Sequence, residues 1–148
     1  GGGIIMDNGP HAFDLIRHLL GEIDKVEAQV MRGQDIPVED TAQMYCRLKS
    51  GARGVIDVSW TLPVPSKTYL EIYGEEGTLI LDFDGLSYKF KTWDEWKRIA
   101  NQASMKDAFA RQMAHFVEAI QGTSPRVTVL EDGMRSQELI EKAYSSLK

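Results

Sequence analysis

The sequence has one cysteine, Cys46, so no internal disulfide can brace the fold and its stability must come from packing. The residues around Cys46 alternate as in a strand, which fits a buried free thiol and a reducing cytoplasm. No stretch approaches the roughly 20 apolar residues that a membrane-spanning helix needs. No charged segment leads into an apolar run, so no secretory signal is read. Lysine and arginine are scattered and outnumbered, 17 against 22 acids, giving a net charge of -5. Without a basic stripe, nucleic acid and anionic membrane are not expected partners. Neither GxGxxG nor a Walker pattern occurs, so the chain shows no means of holding a dinucleotide by itself. No HExxH or comparable motif appears among the three histidines, and no metal site is expected.

What remains is ordinary globular material. In 148 residues, 43% of them hydrophobic, there is enough apolar side chain for the core of one domain, which we read over residues 1–148. The chain starts Gly1-Gly2-Gly3 and runs straight into Ile4-Ile5-Met6, with no initiator Met and no polar tail. Termini are usually polar and loosely held, so this start is expected to lie inside a longer protein. Phe13, Ile16, Leu19 and Leu20 form a helical stripe that Gly21 stops. The helix begins either at Pro10, which suits a first turn, or near Gly3 with Pro10 inside it.

From Ile23 to about Lys91 the apolar period becomes two. Met44, Cys46 and Leu48 alternate with Gln43, Tyr45 and Arg47, and Ile56 and Val58 with Asp57 and Ser59. Ser50-Gly51, Gly74 to Gly77 and Asp84-Gly85 separate the runs, and an Asp-Gly pair between alternating segments is a hairpin signal. After Lys91 helical spacing returns: a short helix over Trp93 to Ala100, a long one over Met105 to Gln121 closed by Gly122, then extended Val127-Thr128-Val129 and a last helix from Glu131 through Leu147. Helix, strands, helices is an α+β order. The expected fold is a largely antiparallel open sheet of about six strands with helices packed on one face.

Chemistry-bearing side chains concentrate at the start. Asp7, His11, Asp14 and His18 are spaced i, i+4, i+7, i+11, so a helix continuous from Gly3 puts all four on one face. An Asp four residues before a His can fix the imidazole tautomer and raise its basicity, which makes a reasonable general acid/base. The same spacing also suits solvated helix charges, with His18 as a C-terminal cation. Trp60, at a strand end before Pro63 and Pro65, is placed either to line a pocket or to fill the core.

These residues resemble a known family. Gly1-Gly2-Gly3-Ile-Ile-Met-Asp7-Asn-Gly9-Pro-His11-Ala-Phe-Asp14 is similar to the GGGxxxDxGxHxxD segment of the Gfo/Idh/MocA oxidoreductases. Ser50 to Gly54, Ile72 to Leu79, and Phe116 to Gly133 resemble later segments of that family in the family's order. The resemblance implies a two-domain enzyme that passes hydride between a nicotinamide and a sugar, cyclitol or related polyol. NAD or NADP would be bound mainly by an amino-terminal Rossmann domain carrying a catalytic lysine. The present chain would be the carboxyl-terminal substrate-binding and oligomerisation domain. It implies His11 as acid/base with Asp7 as its catalytic partner, and Asp14 and Trp60 toward the substrate. The expected assembly is a homo-oligomer through the sheet face, and the chain alone is expected to catalyse nothing. The other reading is a non-catalytic dimerisation or small-ligand-binding module.

Overall fold

A computed structural model describes residues 2–33, 36–64, 66–125 and 128–147. The order is α1 (Ile4–Leu20), β1 (Ile23–Met31), β2 (Thr41–Leu48), β3 (Arg53–Ser59), β4 (Thr68–Tyr73), β5 (Gly77–Asp82), β6 (Gly85–Phe90), β7 (Lys97–Ala100), α2 (Met105–Gln121) and α3 (Leu130–Ser146). The α+β class and the antiparallel pairing match the sequence expectation. The strands differ in number and grouping. Among the described residues seven form two open sheets, β1-β2-β3 and β4-β5-β6-β7, rather than about six in one. The chain divides into two compact units, Gly1–Pro63 with Val127–Lys148, and Val64–Arg126.

The first unit holds the core. Strand pairing aligns Val26 with Cys46, Ala28 with Met44 and Met44 with Ile56, so these side chains share one sheet face. α1 and α3 lie on that face and contribute Ile4, Ile5, Phe13, Leu139, Ile140 and Ala143. Phe13, Ile4 and Ala143 are wholly shielded from solvent. The opposite face is polar, with rows such as Gln29-Gln43-Asp57 and Met31-Thr41-Ser59.

α1 starts at Ile4, which decides between the two starts that the sequence left open, and Pro10 lies inside it. Proline costs α1 the bond from position 10 to the carbonyl of Met6. The helix persists because residues on both sides of the proline, Ile5, Gly9 and Phe13, are buried against the core.

The second unit is built differently. Leu70, Ile72, Leu79, Leu81, Leu86, Tyr88 and Ile99 fall on one face of the four-stranded sheet by register. None of them is buried. Phe90 and Trp93 meet edge to face at 4.8 Å, and Lys97 sits 4.5 Å over the Trp93 ring. The Asp84-Gly85 hairpin forms as expected, with Asp82 and Gly85 paired across it. Gly85 has φ of 157° and a Cβ there would meet the Ile99 carbonyl oxygen at 2.2 Å, so both conformation and space demand glycine.

The segment Trp93 to Ala100 is not the helix that its spacing predicts. Lys97–Ala100 pairs with Gly85–Tyr88 as an edge strand, because the exposed donors and acceptors of β6 capture it. α2 spans the expected residues. Ser104 and Asp107 cap its start reciprocally, and Gly122 ends it in the left-handed conformation. No residue of α2 is buried. Of the expected extended stretch at 127–129, Val129 is extended, whereas Val127 lies outside the described residues, as does Gly1 of the opening triplet.

Candidate active site

α1 buries Ile5, Gly9 and Phe13 and turns Asp7, His11, Asp14 and His18 outward, where all four are exposed. The helix register that sends one stripe into the core therefore fixes the other toward solvent. The Trp60 indole Nε1–H donates to Asp7 Oδ2 at 3.0 Å. Trp60 follows β3 directly, and its backbone N–H is tied to the Asp40 carbonyl at 2.9 Å. The indole is thus anchored at its backbone, bonded at its tip, and 45% exposed between.

This arrangement differs from the expected pairing in one respect. Among the described residues no hydrogen bond joins Asp7 to His11, and the Asp7 carboxyl group is engaged by Trp60 instead. Trp60 is brought to Asp7, and His11 lies one helical turn farther along α1. Asp14 lies two turns farther on and faces Arg17 at 4.0 Å. His18 occupies the last turn.

Two residues that the sequence did not single out shape this helix. Arg17, with 8% of its side chain exposed, donates to Glu22 Oε1 at 3.0 Å and to the Asp132 carbonyl at 3.2 Å, and lies 3.7 Å from Asp132 Oδ1. It ties the end of α1 to the start of α3. Its guanidinium also holds the Glu22 carboxyl group below the usual carboxylate range. Glu39, buried at 6% exposure, serves the other end. Its carbonyl accepts from Ile4 N–H at 2.9 Å and its Oε1 from Ile5 N–H at 3.3 Å. The only signal in the sequence for either is an acid or a base beside an apolar run, which is far too common to select them.

A groove of about 460 Å³ lies on the three-stranded sheet, lined by Gln29, Gln43, Asp57, Thr41, Ser59 and Leu62 among others. None of Asp7, His11, Asp14 and Trp60 lines it. Among the described residues, no group of three or more His, Cys, Asp or Glu side chains could hold a metal ion. No described helix is long and apolar enough to cross a membrane.

Nor does the glycine-rich start of α1 offer a phosphate cradle. Helix N-termini bind anions through free N–H groups, but here Ile4 and Ile5 donate to Glu39, and Met6 and Asp7 to the Gly3 carbonyl, both at 3.1 Å. The N–H groups at the start of α1 are thus taken by the protein's own acceptors.

Fold and site together define an α+β domain that displays a carboxyl–indole pair and an imidazole along its first helix. The model of the GFO/IDH/MocA C-terminal domain matches residues 1–80, and the chain belongs to that family. It is 27% identical over 158 aligned residues to myo-inositol 2-dehydrogenase of Thermotoga maritima, covering 99% of this chain and 47% of that protein. It is 29% identical over 143 to scyllo-inositol 2-dehydrogenase (NAD(+)) of Bacillus subtilis, covering 88% and 41%. An oxidoreductase from Agrobacterium radiobacter, solved with NAD+, L-tartaric acid and magnesium, superposes with a TM-score of 0.81 at 22% identity, over 97% of this chain and 46% of that one. The chain spans about half the length of the curated relatives it matches.

Proposed function

We propose that these 148 residues are the carboxyl-terminal substrate-binding and oligomerisation domain of a nicotinamide-dependent oxidoreductase acting on a sugar, cyclitol or related polyol in the cytoplasm. The observation that carries the reading is the exposed His11, one helical turn from an Asp7 held by Trp60, on a helix whose other face is fixed in the core. Two curated relatives are inositol dehydrogenases, one of them named for NAD(+), which favours NAD over NADP. The cofactor, when bound by an amino-terminal Rossmann domain, carries the hydride.

What this chain supplies is proton transfer and orientation. His11 takes the proton of the hydroxyl undergoing oxidation and returns it in reduction. Asp7, its position set by the indole, faces the same space and orients a substrate hydroxyl or the imidazole. Trp60 offers its exposed ring as an apolar wall for the carbon face of a polyol. Asp14, partly offset by Arg17, extends the polar rim.

The test is His11→Ala in the intact protein that contains this chain. A positioned acid/base is worth about 100- to 10,000-fold, so turnover should fall by that much, while the melting temperature should hold because the side chain is exposed. Wild-type turnover in that variant would sink the assignment.

A second role is favoured by the second unit. The aligned apolar residues Leu70, Ile72, Leu79, Leu81, Leu86 and Ile99 form a sheet face without a buried side chain. Apolar faces of this kind mark interfaces, and a second copy of the same sheet is the partner we assign to it.

A further inference from the structure

We propose that Glu39 and Tyr144 form a positioning device that sets the first turn of α1, and through it the placement of Asp7 and His11. The proposal rests on the oxidoreductase reading for its catalytic consequence, but not for its structural one. α1 begins without a side-chain cap of its own: Gly3 stands at the N-cap and offers none. A helix start leaves its first N–H groups without partners, and burial makes that costly. Glu39, 34 residues away between β1 and β2, fills the need from outside the helix. Its carbonyl takes the Ile4 N–H and its Oε1 the Ile5 N–H.

The same Oε1 accepts the Tyr144 hydroxyl at 2.6 Å, so α3 holds the capping group from behind. Carboxyl group, phenol and helix start are locked at one point, within one turn of Asp7. The opening glycines have their reason here. A Cβ on Gly3 would stand 2.3 Å from the Glu39 carbonyl oxygen and 2.4 Å from its Cδ, and one on Gly2 would stand 2.9 Å from the Tyr144 hydroxyl. No side chain fits between the helix and its clamp. The space that a side chain at Gly3 would need is filled by the protein's own Glu39.

The experiment uses the intact protein, with Glu39→Ala and Glu39→Gln compared for amide exchange over residues 4–7 and for kcat and KM. Glutamine keeps an acceptor for both the Ile5 N–H and the Tyr144 hydroxyl; alanine removes it. Glu39→Ala is expected to speed exchange at residues 4–7 by about tenfold. It should also lower kcat at least about tenfold with KM within about twofold, since misplaced groups lose rate before binding. Glu39→Gln should restore both. If Glu39→Ala does not fold, Tyr144→Phe, which removes one donor and keeps the acceptor, should show the same changes at smaller size. Unchanged exchange at residues 4–7 would overturn the clamp. Wild-type kcat beside accelerated exchange would overturn the link to the site. A wild-type protein that oxidises no polyol would remove the catalytic reading alone, and the exchange data would then decide the clamp by themselves.

Discussion

The two units of this chain solve the burial problem in opposite ways. In the first, a three-stranded sheet is covered by α1 and α3, and all fourteen buried apolar residues of the described chain belong to it. In the second, a four-stranded sheet aligns leucines, isoleucines and a tyrosine on one face, yet among its described residues only Gly85 is buried. The first unit has the properties of a self-sufficient core. The second has those of a surface made to be covered. Stability should therefore reside in one unit and association in the other, and three measurements can break or sharpen that division.

The largest effect is expected in the first unit. Phe13 is fully shielded and meets the core between α1 and the sheet. Phe13→Ala should cost about 3–5 kcal/mol in denaturant unfolding. A loss under about 1 kcal/mol would mean that the core is not where the burial places it.

A smaller effect is expected with pH. Burial and the hydrogen bond to Glu39 push Tyr144 up to about 12, and the backbone N–H groups of Gly3 and Met6 act the other way. Because the folded value lies above the ordinary phenol value of 10, the neutral hydroxyl is the form that the fold favours. Its contribution is complete below about pH 10 and disappears as the pH rises toward 12. Burial likewise pushes the Cys46 thiol up to about 11, and its contribution fades over a lower alkaline range. Unfolding midpoints measured from pH 9 to 12 should fall for the wild type and fall less for Tyr144→Phe. Parallel curves would separate the tyrosine from the alkaline transition.

The smallest stability effect is expected in the second unit. Ile99 is 57% exposed on the apolar face opposite Leu86. Ile99→Glu should shift unfolding by less than about 0.5 kcal/mol in the dissociated chain. In light scattering the same substitution should convert an oligomer to a monomer. A wild type that stays monomeric at high concentration would count against the assembly role, and a large loss of stability in the variant would erase the contrast between the units.

How much of this was legible in the sequence follows from the range of each signal. α2 was legible to the residue, because its period and its Gly122 stop are both local. The Asp84-Gly85 hairpin was legible for the same reason. β7 was not. Its side-chain spacing is helical, and only the neighbouring edge of β6 makes it a strand. The division into two sheets was hidden too, because alternation shows that a strand has two faces but not which strands it joins. At the site, the outward stripe of α1 could be read from spacing alone. The Trp60–Asp7 bond spans 53 residues and the Tyr144–Glu39 bond 105, so no local pattern encodes either.

That last separation bears on how the protein is made. α1 is synthesised before Glu39 and Tyr144, the two residues that clamp its start. Glu39 emerges next and can satisfy the helix start, but it stays unbraced until Tyr144, near the other end of the chain, has left the ribosome. Until α3 has been made, the clamp on the start of α1 lacks its pin. The step that completes the core is also the step that fixes the helix carrying Asp7 and His11, so a chain arrested before Tyr144 would lack both.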